Sequence, residues 1–186
     1  MATAHLYFFK GIDPNTASSL LVGAHNLLSE TPAVGAKWDT INFVMSSGGG
    51  DVISAFGLYN EMKGLQTKVT THNAGAIDSA AILPFLAGER RTASASSAFF
   101  FHQLHWSFPS NNQLTMGTIS DATAWLNRYD GMMAETIASH TDLTKAKVSK
   151  LMREGTSIDP PTAKEYGLID EIEELSTPNT ARTWIA

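Results

Sequence analysis

A chain of 186 residues, 43% hydrophobic and 17% charged, is long enough to bury the core of one globular domain. Its net charge of −5 and the absence of any Lys/Arg run exclude the electrostatic footprint of a nucleic-acid or anionic-membrane partner. With no cysteine, disulfides, thiolate metal sites and a cysteine nucleophile are excluded, and with neither a basic-then-apolar leader nor about eighteen consecutive apolar residues, a soluble cytoplasmic protein is expected.

In chain order, HLYFFKGI reads as a strand stopped by the turn-forming Asp13, Pro14 and Asn15, and TASSLLVGAHNLL as a helix. INFVM at 41–45 is a second strand that runs into SSGGGD. The helix VISAFGLYNEMK follows, with Val52, Ala55, Phe56, Tyr59 and Met62 on one face. KVTTHNAG is a third strand, residues 79–88 form an apolar helix buried on all sides, and TASASSAFFFHQLHW is one further strand. Ile119, Ala122, Leu126, Tyr129, Met133 and Ile137 then recur by threes and fours, which predicts a long projecting helix. Thr144 caps a shorter helix, Asp159 with Pro160 starts another that ends at Gly167, and LIDEIEEL closes the domain as a strand. The alternation predicts a single α/β domain over 1–175 with covered sheets, followed by a loosely held polar tail at 176–186.

Three local features carry possible chemistry. Gly48, Gly49 and Gly50 follow a strand; such a run can form an anion-binding nest, and equally serves a tight turn into a helix. Ser79 stands between a strand and an apolar helix. A serine there commonly caps the helix, but at a helix N-terminus the free amides and the dipole also favour a neighbouring oxyanion. His102 ends the run Ala98, Phe99, Phe100, Phe101, at the mouth of a buried strand. His105 lies three residues on, but without carboxylates at matching spacing the pair makes a poor metal site, and no metal is expected. His72, seven residues before Ser79, competes as a base, and spacing alone leaves His72 and His102 both open.

Motifs over 48–172 choose between them. SSGGGDV at 46–52 resembles the SPGG[SD]V segment of the ClpP family of serine peptidases, with Gly in place of the usual Pro. AIDSAAILPFLAG resembles that family's nucleophile segment and puts Ser79 in the nucleophile's place. FFFHQLHW resembles its IHQP-like motif and puts His102 on the catalytic histidine, with Gln103 retained. SHTDLT and DPPTAKEYGLIDEI are similar to the end of the family's long helix and to its SAPEAVEYGLVDSI.

The resemblance implies a ClpP/crotonase-like fold of stacked β/α turns, with a handle helix at about 118–140 between two rings of a homo-oligomer. It also implies a serine endopeptidase acting on peptide or unfolded protein without a cofactor. Ser79 would attack, His102 would take its proton, and the amides of Gly50 and Ala80 would hold the oxyanion, with the substrate extended beside Gly49 and Gly50. The family's triad aspartate aligns with Gly155, so Glu154 is the expected substitute and Asp159 the next. Because the resemblance begins near Leu6, no room is expected for an axial-pore segment, and partnership with an AAA+ unfoldase does not carry over. Two other readings stand beside this one. A catalytically inactive ring subunit is favoured by Gly155, and a crotonase-type acyl-CoA enzyme would draw on Asp78 or Asp51 as acids.

Overall fold

Strand and helix alternate from the first residues to Phe85, and side chains cap the N-termini of most of the helices. The computed structural model describes residues 2–30, 37–108, 114–177 and 182–185. Strand β1 (Thr3–Phe8) leads to helix α1 (Pro14–Ser29), where Asp13 and Thr16 form a reciprocal capping box. Strand β2 (Thr40–Ser47) leads through the glycines to α2 (Val52–Gly64), capped by the Asp51 carboxylate, which accepts from Ser54 N at 2.7 Å. Strand β3 (Lys68–Asp78) runs into a 3₁₀ turn (Ser79–Ala81) and the short α3 (Ile82–Phe85). After β4 (Arg90–Ala93) and β5 (Ala98–Phe101) come α4 (Met116–Ala138), α5 (Lys145–Glu154), β6 (Thr156–Ile158), α6 (Pro160–Glu165), β7 (Glu171–Ile172) and β8 (Arg182–Ile185).

One eight-stranded sheet has the order β6-β5-β3-β2-β1-β8, with β4 paired to β3 and β7 to β4 off that path, and every pairing is parallel except β5 with β6. The eleven residues of β3 serve two neighbours on one edge: residues 70–73 pair with β4 and residues 76–78 with β5. That division sets the site, because it brings the C-terminal ends of β3 and β5 together. The core lies between the sheet and its helices. Phe8, Phe43, Phe85, Phe99 and Phe101 are fully buried, and each such side chain contributes about 1.5–3 kcal/mol.

Thr144 and Asp159 cap α5 and α6 as the sequence predicts. Residues 80–87 are all buried, but the helix expected over 79–88 is shorter, opening as a 3₁₀ turn and ending at Phe85. The strand expected from TASASSAFFFHQLHW is two strands, because a turn closed by Ser97 N donating to Ser94 O (3.0 Å) shifts the chain from one half of β3 to the other. On α2, Leu58 is buried along with Val52, Ala55 and Met62, while Phe56 and Tyr59 are half-buried. The tail expected to be loose contains β8, which pairs with β1 while the Trp184 ring lies over Gly23 of α1, where a Cβ would collide with it.

Helix α4 is held at its middle by tilted aromatic pairs. Trp125 and Tyr129 have ring centroids 4.5 Å apart, and Tyr129 meets Phe56 of α2 at 6.4 Å. At its far end, the half-buried Arg91 on β4 donates through its guanidinium to the carbonyls of His140, Gly167 and Leu168 at 2.9–3.1 Å. Toward its N-terminus Met116 and Ile119 are exposed, as are Trp106, Phe108 and Leu114 on the segment leading in.

Candidate active site

Ser79 adopts φ 55°, the only left-handed non-glycine backbone among the described residues. An L-residue there costs roughly 1–2 kcal/mol, a strain that a simple helix cap does not require. The turn lifts Ser79 off the end of β3 and starts the 3₁₀ turn at once, so the Ala80 amide lies at a helix N-terminus with no preceding carbonyl to take it. Ser79 itself is 4% exposed.

The glycine segment packs against this turn. Gly49 (φ 82°) has room for no side chain, since a Cβ would stand 2.7 Å from the Asp78 carbonyl and 2.8 Å from the Ser79 Cβ. Gly50 (φ 140°) is fixed by Ile12, whose amide donates to Gly49 O (2.7 Å) and whose carbonyl accepts from Asp51 N (2.8 Å). In a parallel bridge of that kind the middle residue's own N–H points to the opposite side, so the Gly50 amide faces away from Ile12. The Gly49 amide is taken by Ser47 Oγ at 3.2 Å.

His102 follows the last residue of β5. Register pairs Asp78 with Phe100, so Ser79 and His102 leave adjacent parallel strands side by side. Strand parity puts Phe99 and Phe101 in the core and turns Phe100 and His102 to the other face, where their ring centroids are 5.2 Å apart. His102 Nδ1 lies 2.7 Å from the Gln103 carbonyl, an acceptor only, so in the neutral ring Nδ1 carries the proton and Nε2 is the basic nitrogen. The amide of the same peptide unit, Leu104 N–H, donates to the Asp130 carboxylate of α4 at 3.0 Å, and Gln103 Nε2 approaches the other oxygen at 3.4 Å. Asp78 shares the His102 face; burial raises its carboxyl pKa above the ordinary value, and the charge of His102 acts in the opposite direction.

The antiparallel pairing of Phe101 with Thr156 and Phe100 with Ser157 puts Gly155 across from His102. Gly155 is the left-handed C-cap of α5 (φ 61°), and a Cβ there would meet only the Phe100 ring, at 3.9 Å. Glu154 is turned to solvent with its carboxylate 3.8 Å from Lys150, one helical turn back. Asp159 accepts from Thr162 N and Asp51 from Ser54 N, both as helix caps. His72 is buried on β3 seven residues before Ser79, with Nδ1 against Thr92 Oγ1 (2.8 Å) and Nε2 against Ser94 Oγ (3.0 Å). That puts it about 20 Å along the strand from Ser79. His105 stacks on His102 at 6.4 Å, and no group of three His or acidic residues placed to hold a metal occurs among the described residues. No described helix is long and apolar enough to cross a membrane.

Strand parity, once the strand ends are known, puts Asp78 on the His102 face. Asp130 is brought to Gln103 across 26 residues of sequence and leaves no local signal.

A family model described as Clp protease matches residues 15–176. The chain is 29% identical over 139 residues to an ATP-dependent Clp protease proteolytic subunit 1 from Rhodococcus jostii, covering 72% of this chain and 60% of that protein. It is 28% identical over 135 residues to a proteolytic subunit 2 from Borreliella burgdorferi, covering 70% and 65%. With the proteolytic subunit 1 of Mycolicibacterium paratuberculosis it shares 28% over 171 residues, covering 89% and 77%. The chain thus spans less than two thirds of the first two. Among solved structures, a ClpP1 mutant from Listeria monocytogenes superposes with a TM-score of 0.73 at 21% identity, covering 92% of this chain and 91% of that one. The fold is therefore the ClpP/crotonase-like one that the motifs imply.

Proposed function

The chain belongs to the Clp protease family, and from that premise we propose that it is a serine endopeptidase with Ser79 as nucleophile and His102 as general base. The observation that carries this reading is the left-handed Ser79 at a strand-to-helix turn, beside the strand end that bears His102. Peptide hydrolysis needs these groups in four roles. Nε2 of His102 takes the hydroxyl proton as Ser79 Oγ attacks the carbonyl carbon, and the amides of Gly50 and Ala80 donate to the oxyanion that forms. Collapse of the tetrahedral intermediate expels the amine, which receives the proton from His102 and leaves an acyl ester on Ser79. Water then attacks the ester with His102 again as base, restoring the hydroxyl.

The substrate lies extended beside Gly49 and Gly50 and pairs by its main chain, which predicts broad sequence tolerance. Rings of copies of this chain, packed through α4, would cover the exposed Met116, Ile119 and Leu114. Glu154, held by Lys150, keeps no role in this mechanism. Gly155 favours a second reading, a ring subunit without activity, because the position facing His102 has no side chain. Hydrolysis of an extended fluorogenic peptide separates the two: turnover that Ser79→Ala abolishes supports the peptidase, and equal rates for both proteins support the inactive subunit.

A further inference from the structure

His102 lacks a carboxylate at the register position opposite it, but its Nδ1 is not idle. The Gln103 carbonyl holds it at 2.7 Å, and the N–H of that same peptide unit, on Leu104, donates to Asp130 Oδ1 at 3.0 Å. We propose that Asp130 of α4 is the positioning residue for His102, acting through the Gln103–Leu104 peptide group in place of a carboxylate bound directly to the ring. This rests on the serine-peptidase reading above. A carboxylate that accepts from a peptide N–H polarises the peptide and makes its carbonyl a stronger acceptor, since hydrogen bonds in a chain reinforce one another. The carbonyl then does what a triad carboxylate does: it keeps the proton on Nδ1, leaves Nε2 free for Ser79, and favours the imidazolium that forms when Ser79 is deprotonated.

Two features of this chain fit that assignment together. Gly155 leaves the direct position empty. Leu104 stands where the IHQP-like motif has proline, and only a residue with an N–H can donate to Asp130. Asp130 also ties the site to the middle of α4, one residue after Tyr129, whose ring packs on Trp125 and Phe56. The charged and titratable groups around His102 are Asp78 on β3, His105 on its own segment, Asp130 on α4, and Arg153 with the Lys150-paired Glu154 on α5. Of these, Asp130 alone is hydrogen-bonded to the peptide that holds the ring.

The test combines two readouts on the full chain. Nitrogen-15 chemical shifts of His102 report its tautomer and titration midpoint whether or not the protein is active. The rate of Ser79 labelling by a fluorophosphonate, followed against pH, reports the base at work. Asp130→Ala and Leu104→Pro should each shift His102 away from the Nδ1–H tautomer, lower its midpoint by about one unit and slow labelling about tenfold, one unit being a factor of ten between the two protonation states. Asp130→Asn keeps an acceptor without the charge and should fall between. Gly155→Asp added to Asp130→Ala should restore the labelling rate.

A tautomer, midpoint and rate unchanged in Asp130→Ala would overturn the proposal. Should Asp130→Ala not fold, an unchanged tautomer and midpoint in Asp130→Asn and Leu104→Pro would overturn it equally. If wild-type Ser79 is never labelled while His102 responds as described, the peptidase reading fails and the Asp130 contact stands.

Discussion

At the residue scale, the segments AIDSAAILPFLAG and FFFHQLHW make Ser79 and His102 legible in the sequence as the proposed nucleophile and base, through the neighbours each keeps. The conformation of Ser79 is not legible there, since φ 55° is one that serine has no propensity to adopt, and Gly49 packs closely against the same turn from 30 residues away. Asp78 shows what such a site costs the fold. Its carboxyl pKa is raised, first by burial and with His102 partly opposing it. The native state therefore binds that proton more tightly than the unfolded chain, whose aspartate titrates near ~3.9. Stability is present in full below that value and declines as pH rises through the raised folded value. Asp78→Asn should melt above wild type at pH 7, with the gap closing toward pH 3 in thermal scans. A variant that melts below wild type at pH 7 would show that Asp78 makes a stabilising contact instead.

At the scale of elements, long segments with a clear period were readable and short ones were not. The three- and four-residue strands β6 and β8 are too brief to show alternation, and Thr156, Ser157, Arg182 and Thr183 carry no apolar signal. Their places are set by partners far away in sequence: β5 for β6, and β1 with α1 for β8. The break between β4 and β5 is equally non-local, because it follows from β3 serving two neighbours on one edge.

The seating of β8 depends on Gly23, which leaves the space that the Trp184 ring fills. Gly23→Val should push Trp184 off α1, with a red shift of tryptophan emission and loss of hydrogen-exchange protection at the amides of β8, while amides of β2 and β3 stay protected. Protection of β8 that survives the valine would mean the strand is held by its ladder to β1 and not by the ring. Arg182, the first residue of β8, also makes a bidentate pair with Glu30 at 2.6 and 2.7 Å; being exposed, it adds little.

At the scale of the whole molecule, the chain couples a site at the ends of β3 and β5 to a long helix that exposes Met116 and Ile119. The length and spacing of that helix are plain in the sequence, but its link to the site through Asp130 is not, because the contact joins a helix to a loop 26 residues earlier. The ring proposed from α4 and the chemistry proposed for Ser79 meet in one measurement: fluorophosphonate labelling of the size-fractionated protein, with the adduct mapped by mass spectrometry. The account predicts a large closed oligomer, a single adduct on Ser79, and no adduct in Ser79→Ala. A folded, assembled protein that stays unlabelled, or an adduct on any other residue, would contradict it.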